Sequence, residues 1–112
     1  MQKDDAVRLR HMLDAAKEAT SFVRNKTRKS FDTDRQLVLS LVKAIEIIGE
    51  AAANVTTKCR EEFPRIPWRD IVSMRNRLIH AYFDINLDIL WKTVAEDLPP
   101  LIAELEKIVT VT

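Results

Sequence analysis

"QLVLSLVKAIEIIGEAAANV", residues 36–55, decides the architecture. Projected at about 100° per residue, Leu37, Leu41, Ala44, Ile48, Ala52 and Val55 share one face. Val38, Ile45 and Gly49 widen that face, while Leu39 and Ile47 lie on the other side. A helix that is apolar on more than one side packs against more than one neighbour. The segment therefore reads as the central helix of an all-α protein, and one of its neighbours can belong to a second copy of the chain. Gly49 costs about 1 kcal/mol of helix propensity relative to alanine, which points to close backbone packing.

Working outward, Thr33 followed by Gln36 resembles a capping box that opens this helix, which should run to about Thr57. Before it, Leu9, Met12, Leu13, Ala16, Ala19, Phe22 and Val23 recur at three- and four-residue steps, predicting an amphipathic helix over 4–26. "TRKSFD" then reads as a loop. Beyond it, Pro64 and Pro67 frame a short connection, and Pro67 suits the first turn of a third helix over 67–82. Asp84 or Asn86 can cap a fourth helix carrying Leu87, Leu90, Trp91 and Val94. Asp97 can cap a last helix with Pro99 and Pro100 in its first turn and Leu101, Ile102, Leu105 and Ile108 on its core side. The expected fold is an antiparallel four-helix bundle with an additional short C-terminal helix, one domain over 1–112.

Composition agrees. In 112 residues, 46% are hydrophobic and 31% charged, a globular balance that excludes wholesale disorder. One glycine and four prolines leave few turn-formers for a many-stranded fold. The lone Cys59 excludes an intramolecular disulfide and a multi-cysteine zinc site, and His11 and His80 are far apart in sequence. No metal cluster and no cofactor is expected. The charged start and the lack of a long apolar run predict a cytoplasmic protein without a membrane span.

Net charge is only +1, but it is unevenly spread: residues 1–30 hold eight Lys/Arg against four Asp/Glu, and residues 83–112 hold two against six. "RNKTRK" (24–29) contains four cations and no acid. It reads either as a solvated helix end and loop or as a patch that attracts phosphate.

The remaining anomaly is "MRNRLIHAYF", residues 74–83. On the predicted third helix, Trp68, Ile71, Met74, Leu78, Ile79 and Tyr82 form an apolar stripe with Arg75 in its middle. Asn76, His80 and Ser73 make a polar strip opposite. A buried, unpaired arginine would cost several kcal/mol, so Arg75 should reach an acid, and Glu46 and Glu50 on the central helix are the candidates. The pair can be a structural tie or part of a reactive site. His80 can likewise be a structural histidine, although Asn76 at i−4 is placed to orient it. Trp68 and Trp91 read as core.

Taken together, R-N-x3-H-x-Y in "MRNRLIHAY" resembles the signature of the HEPN superfamily, and the chain looks like the HepT toxins of MNT–HEPN toxin–antitoxin systems. "RHMLDAAKEA", "KAIEIIGEAA", "FPRIPWRDIVSMRNRLIHAYF", "LDILWKTV" and "EDLPPLI" extend the likeness over the whole chain. The resemblance implies a homodimer that brings two R-x4-H motifs into one cleft and cuts RNA without metal. Arg75 and His80 would be the catalytic pair and Asn76 the supporting polar residue. The implied partner is a minimal nucleotidyltransferase antitoxin (MNT) that adds AMP to Tyr82. The chemistry suits these residues, because imidazole exchanges protons near neutral pH and a guanidinium pairs bidentately with phosphate. Arg75 and His80 stand about 140° apart on an ideal helix, so two chains would be needed to border one cleft. A non-catalytic module that docks on a nucleotidyltransferase or binds nucleotide or RNA is the alternative. A bare structural bundle would leave Arg75 and the polar strip unexplained.

Overall fold

The computed structural model describes residues 1–81 and 84–109, with residues 80 and 81 described by their backbone alone. It is an all-α bundle: α1 (Lys3–Phe22), α2 (Ser30–Thr33), α3 (Arg35–Ala53), α4 (Thr57–Glu62), α5 (Trp68–Leu78), α6 (Leu87–Lys92) and α7 (Leu98–Val109). A short antiparallel pair, β1 (Ile79–Ala81) and β2 (Asp84–Ile85), follows α5.

α3 is the centre, packed on α1 along one flank and α5 along another. Leu41, Ile45, Ile48 and Ala52 are fully enclosed, whereas Leu39 is 47% exposed. Gly49 has the predicted use, since a Cβ there would lie 3.4 Å from the Ile71 carbonyl oxygen and 3.6 Å from that of Val72. α3 and α5 run antiparallel, with Gly49 beside 71–72 and Glu46 beside Arg75. α7 closes the bundle against α1, and Lys17 reaches Glu106 at 3.5 Å.

Several boundaries differ from the sequence reading. α1 stops at Phe22 rather than 26 because Asn25 adopts φ 64°, a left-handed conformation that asparagine tolerates and a helix does not. The expected "TRKSFD" loop contains the single turn α2, held by Phe31, whose ring meets Trp91 edge-on at 5.6 Å. The cap of α3 is Asp34, not Thr33: its Oδ1 accepts from the Leu37 N–H at 3.0 Å. α3 ends at Ala53 instead of Thr57, and Thr56 caps the separate helix α4, which the apolar spacing did not reveal.

Asp97 caps nothing. α6 passes into α7 through a π-helical turn, Thr93–Asp97, with the Leu98 N–H bonded to the Thr93 carbonyl five residues back. Pro99 and Pro100 offer no N–H to the carbonyls one turn earlier, so a wider turn is the natural accommodation. Asn86, one of the two proposed caps, does cap α6 by accepting from the Ile89 N–H at 3.0 Å.

The start of α1 is tied to α4 by Asp5, only 2% exposed. Its carboxylate accepts from the Thr56 N–H at 2.9 Å and the Thr56 hydroxyl at 2.7 Å. Burial pushes the Asp5 carboxyl up, but the Thr56 bonds and nearby Arg8 outweigh it, leaving the group below its ordinary value. Because the folded carboxyl ionises more readily than the unfolded one, this stabilisation is complete above about pH 4 and disappears as pH falls through the lowered folded value. Asp5→Ala should destabilise by about 1–3 kcal/mol by orphaning the Thr56 donors. Denaturant melts at pH 7 and pH 3 check this: the gap between wild type and variant should shrink at the lower pH.

Candidate functional site

α5 carries the first half of the R-N-x3-H-x-Y motif. Ile71, Met74 and Leu78 are buried on its inner face, and Trp68 is locked by its indole N–H, which donates to the carbonyls of Arg60 and Phe63 at 3.2 and 3.1 Å. Arg75 projects from the flank toward α3, where its Nε donates to Glu46 Oε1 at 3.0 Å. The helical projection placed Arg75 inside the apolar stripe, yet its side chain is 49% exposed and that of Glu46 33%. A long side chain leaves a half-buried position by extending its head into solvent. Exposed pairs of this kind contribute about 0–1 kcal/mol, so the contact orients the guanidinium more than it stabilises the fold. Glu50, the other candidate acid, is exposed one turn further on.

Asn76 is exposed, as is Arg77, whose Nη2 donates to the Asp70 carbonyl at 3.0 Å. His80 is not on the helix. α5 ends at Leu78, Ile79 turns extended (φ −117°, ψ 111°), and the Asn86 N–H caps the Leu78 carbonyl at 2.7 Å. Ile79 then pairs with Ile85 and Ala81 with Asp84, so His80 is the extra residue between two pairs that are consecutive on the opposite strand. Such bulges re-aim a side chain and recur beside active sites. Two β-branched isoleucines facing each other favour this pairing over further helix. The 140° separation deduced from a continuous helix therefore does not apply. Tyr82 lies outside the described residues.

On the opposite flank of α5, a groove of about 640 Å³ runs between Arg65, Met74, Arg77, Lys92, Glu96 and Glu104. It mixes charges of both signs and does not include Arg75. Cys59 is buried, and burial pushes its thiol pKa up, which keeps it unreactive. Among the described residues, no three His, Cys, Asp or Glu side chains gather in a way that could hold a metal ion, and no helix is long and apolar enough to cross a membrane.

The family described as ribonuclease HepT-like matches residues 12–108, a span that takes in α5, the β1–β2 pair and the whole motif. The chain belongs to the HepT-like ribonuclease family. Three curated relatives agree in length as well as sequence. A protein of Thermococcus cleftensis named "Probable ribonuclease HepT" is 38% identical over 100 residues, covering 89% of this chain and 91% of the relative. A candidate RNase of Methanocaldococcus jannaschii, MJ1380, is 35% identical over 105 residues, covering 94% and 96%. A candidate RNase of Caldanaerobacter subterraneus, TTE0752, is 34% identical over 100 residues, covering 89% of each. No solved structure matches the chain. Membership in the HepT-like family supports ribonuclease activity and an RNA substrate.

Proposed function

We propose that this HepT-like chain is a metal-independent endoribonuclease, the cytoplasmic toxin of a toxin–antitoxin pair, working as a homodimer. The observation that carries the reading is the family match together with an intact R-N-x3-H-x-Y at 75–82. In the proposed reaction one imidazole removes the 2′-hydroxyl proton, the 2′-oxygen attacks phosphorus, and the P–O5′ bond breaks. A second imidazole protonates the departing 5′-oxygen, and a 2′,3′-cyclic phosphate remains. One His80 per chain supplies one such group, so a two-fold cleft supplies both. Arg75, oriented by Glu46, neutralises the charge that develops on phosphorus. Asn76 is given the supporting polar role by the motif alone, since its i, i+4 relation to His80 ends with α5 at Leu78, and Glu50 lies on the same helix as Glu46.

The test is cleavage of single-stranded RNA by the purified chain in excess EDTA. Unimpaired cutting with a 2′,3′-cyclic phosphate end is the expected result. Activity restored only by a divalent ion would defeat the mechanism.

Regulation is assigned to Tyr82, whose hydroxyl accepts AMP from the nucleotidyltransferase antitoxin, placing an anion near the RNA phosphate. Tyr82→Phe should remain toxic in cells that co-express the antitoxin, while wild type is silenced at least tenfold in colony counts. Equal silencing of both would remove Tyr82 from this role.

A further inference from the structure

The basic stretch 24–29 is a shaped turn rather than a loose charge run. Asn25 takes φ 64°, the Lys26 N–H donates to the Val23 carbonyl at 2.9 Å, and Thr27 and Ser30 exchange hydrogen bonds at 3.1 and 2.9 Å. Arg28 is committed to two acids at the surface. Its Nε donates to Asp88 Oδ1 at 2.7 Å and its Nη1 to Asp32 Oδ1 at 3.0 Å. These two carboxylates raise its pKa, so the guanidinium stays charged.

Asp88 stands in the first turn of α6, three residues after Ile85, the strand partner of Ile79. Phe31 against Trp91 adds an apolar anchor, and Leu87 shares a hollow of about 350 Å³ with Phe31, Arg35 and Val38. The basic turn is thereby fixed at the end of the bundle where α5 gives way to the strand bearing His80. Arg24, Lys26 and Lys29 are exposed there, and among the described residues none of them forms an ion pair. Three like charges on one rigid turn repel one another, and a polyanion relieves that repulsion.

We propose that Arg24, Lys26 and Lys29 form a backbone-binding arm that grips RNA phosphates flanking the cleaved linkage. The inference rests on the ribonuclease reading for its choice of polyanion, and it assigns the arm to single-stranded RNA. Contacts of this kind position the strand without reading its sequence.

The test compares the triple variant Arg24→Gln/Lys26→Gln/Lys29→Gln with the unaltered turn, both in a His80→Ala background, by fluorescence anisotropy of a labelled oligouridine. Loss of three phosphate contacts should lower the slope of log K against log salt by about 2, at ~0.7 per single-strand phosphate. Affinity at low salt should fall at least tenfold. All three side chains are exposed, so the melting temperature should not move. An unchanged slope and affinity would overturn the arm. Cleavage by the His80-containing chain separates the two ideas. Cutting of the same oligouridine that the triple substitution leaves intact removes the arm alone. Charge-dependent binding without any cutting removes the ribonuclease reading and leaves the arm standing.

Discussion

Replacing His80 by alanine should reduce RNA cleavage by about 10²–10⁴-fold, the usual contribution of a positioned general acid–base group. The residue lies at the register shift between Ile79 and Ala81, outside the helices, and the variant is expected to remain folded, which an unchanged melting temperature checks. The single-turnover rate, with enzyme in saturating excess over labelled RNA, is the measurement. If two histidines act as base and acid, the wild-type rate should follow a bell-shaped pH profile, and the variant should lose that shape along with its rate. A variant that cuts at the wild-type rate would show that His80 transfers no proton.

The second large effect is expected at Arg75. Arg75→Ala should lower the single-turnover rate by about 10²–10³-fold, the range seen when one donor to a developing oxyanion is removed. Arg75→Lys should recover little, since a point charge on a flexible stem does not reproduce the planar fork of a guanidinium. Glu46→Gln supplies the contrast. It keeps the shape of the group that receives Arg75 Nε but removes its charge, so Arg75 should wander without being lost. A loss of about tenfold or less, carried in the rate and not in KM, would mark Glu46 as a positioning residue. Equal losses for Glu46→Gln and Arg75→Ala would instead mark the ion pair itself as the essential unit.

The interior of the central helix was legible, though not its ends, because its information is local and redundant: Leu37, Leu41, Ala44, Ile48 and Ala52 recur at helical spacing, and each is buried. The use of Gly49 was legible for a similar reason, as a lone glycine inside a helix demands an explanation. The Arg75 partner could be narrowed to Glu46 or Glu50 from sequence because few acids share a helix flank that α5 can reach, and the structure chooses Glu46. The end of α5 could not. Helix and strand compete at Ile79, and Ile85, which decides the contest, stands on the far side of the turn. The Asp5–Thr56 and Arg28–Asp88 ties join residues 51 and 60 positions apart, and no periodicity encodes such pairs. The cap of α3 was missed by one residue because Thr33 and Asp34 are both competent caps, and only backbone geometry chooses between them.

The π-helical turn at Thr93–Asp97 works as slack in the last helical run. It takes up one residue more than an α-turn, so α7 keeps its heading although the chain there is a residue longer. Leu90 and Val94 before it and Leu98, Leu101 and Leu105 after it all reach the same interior. Pro99 and Pro100 withhold two α-helical donors from the carbonyls of this turn, and its wider hydrogen bonding lets the run pass them without breaking.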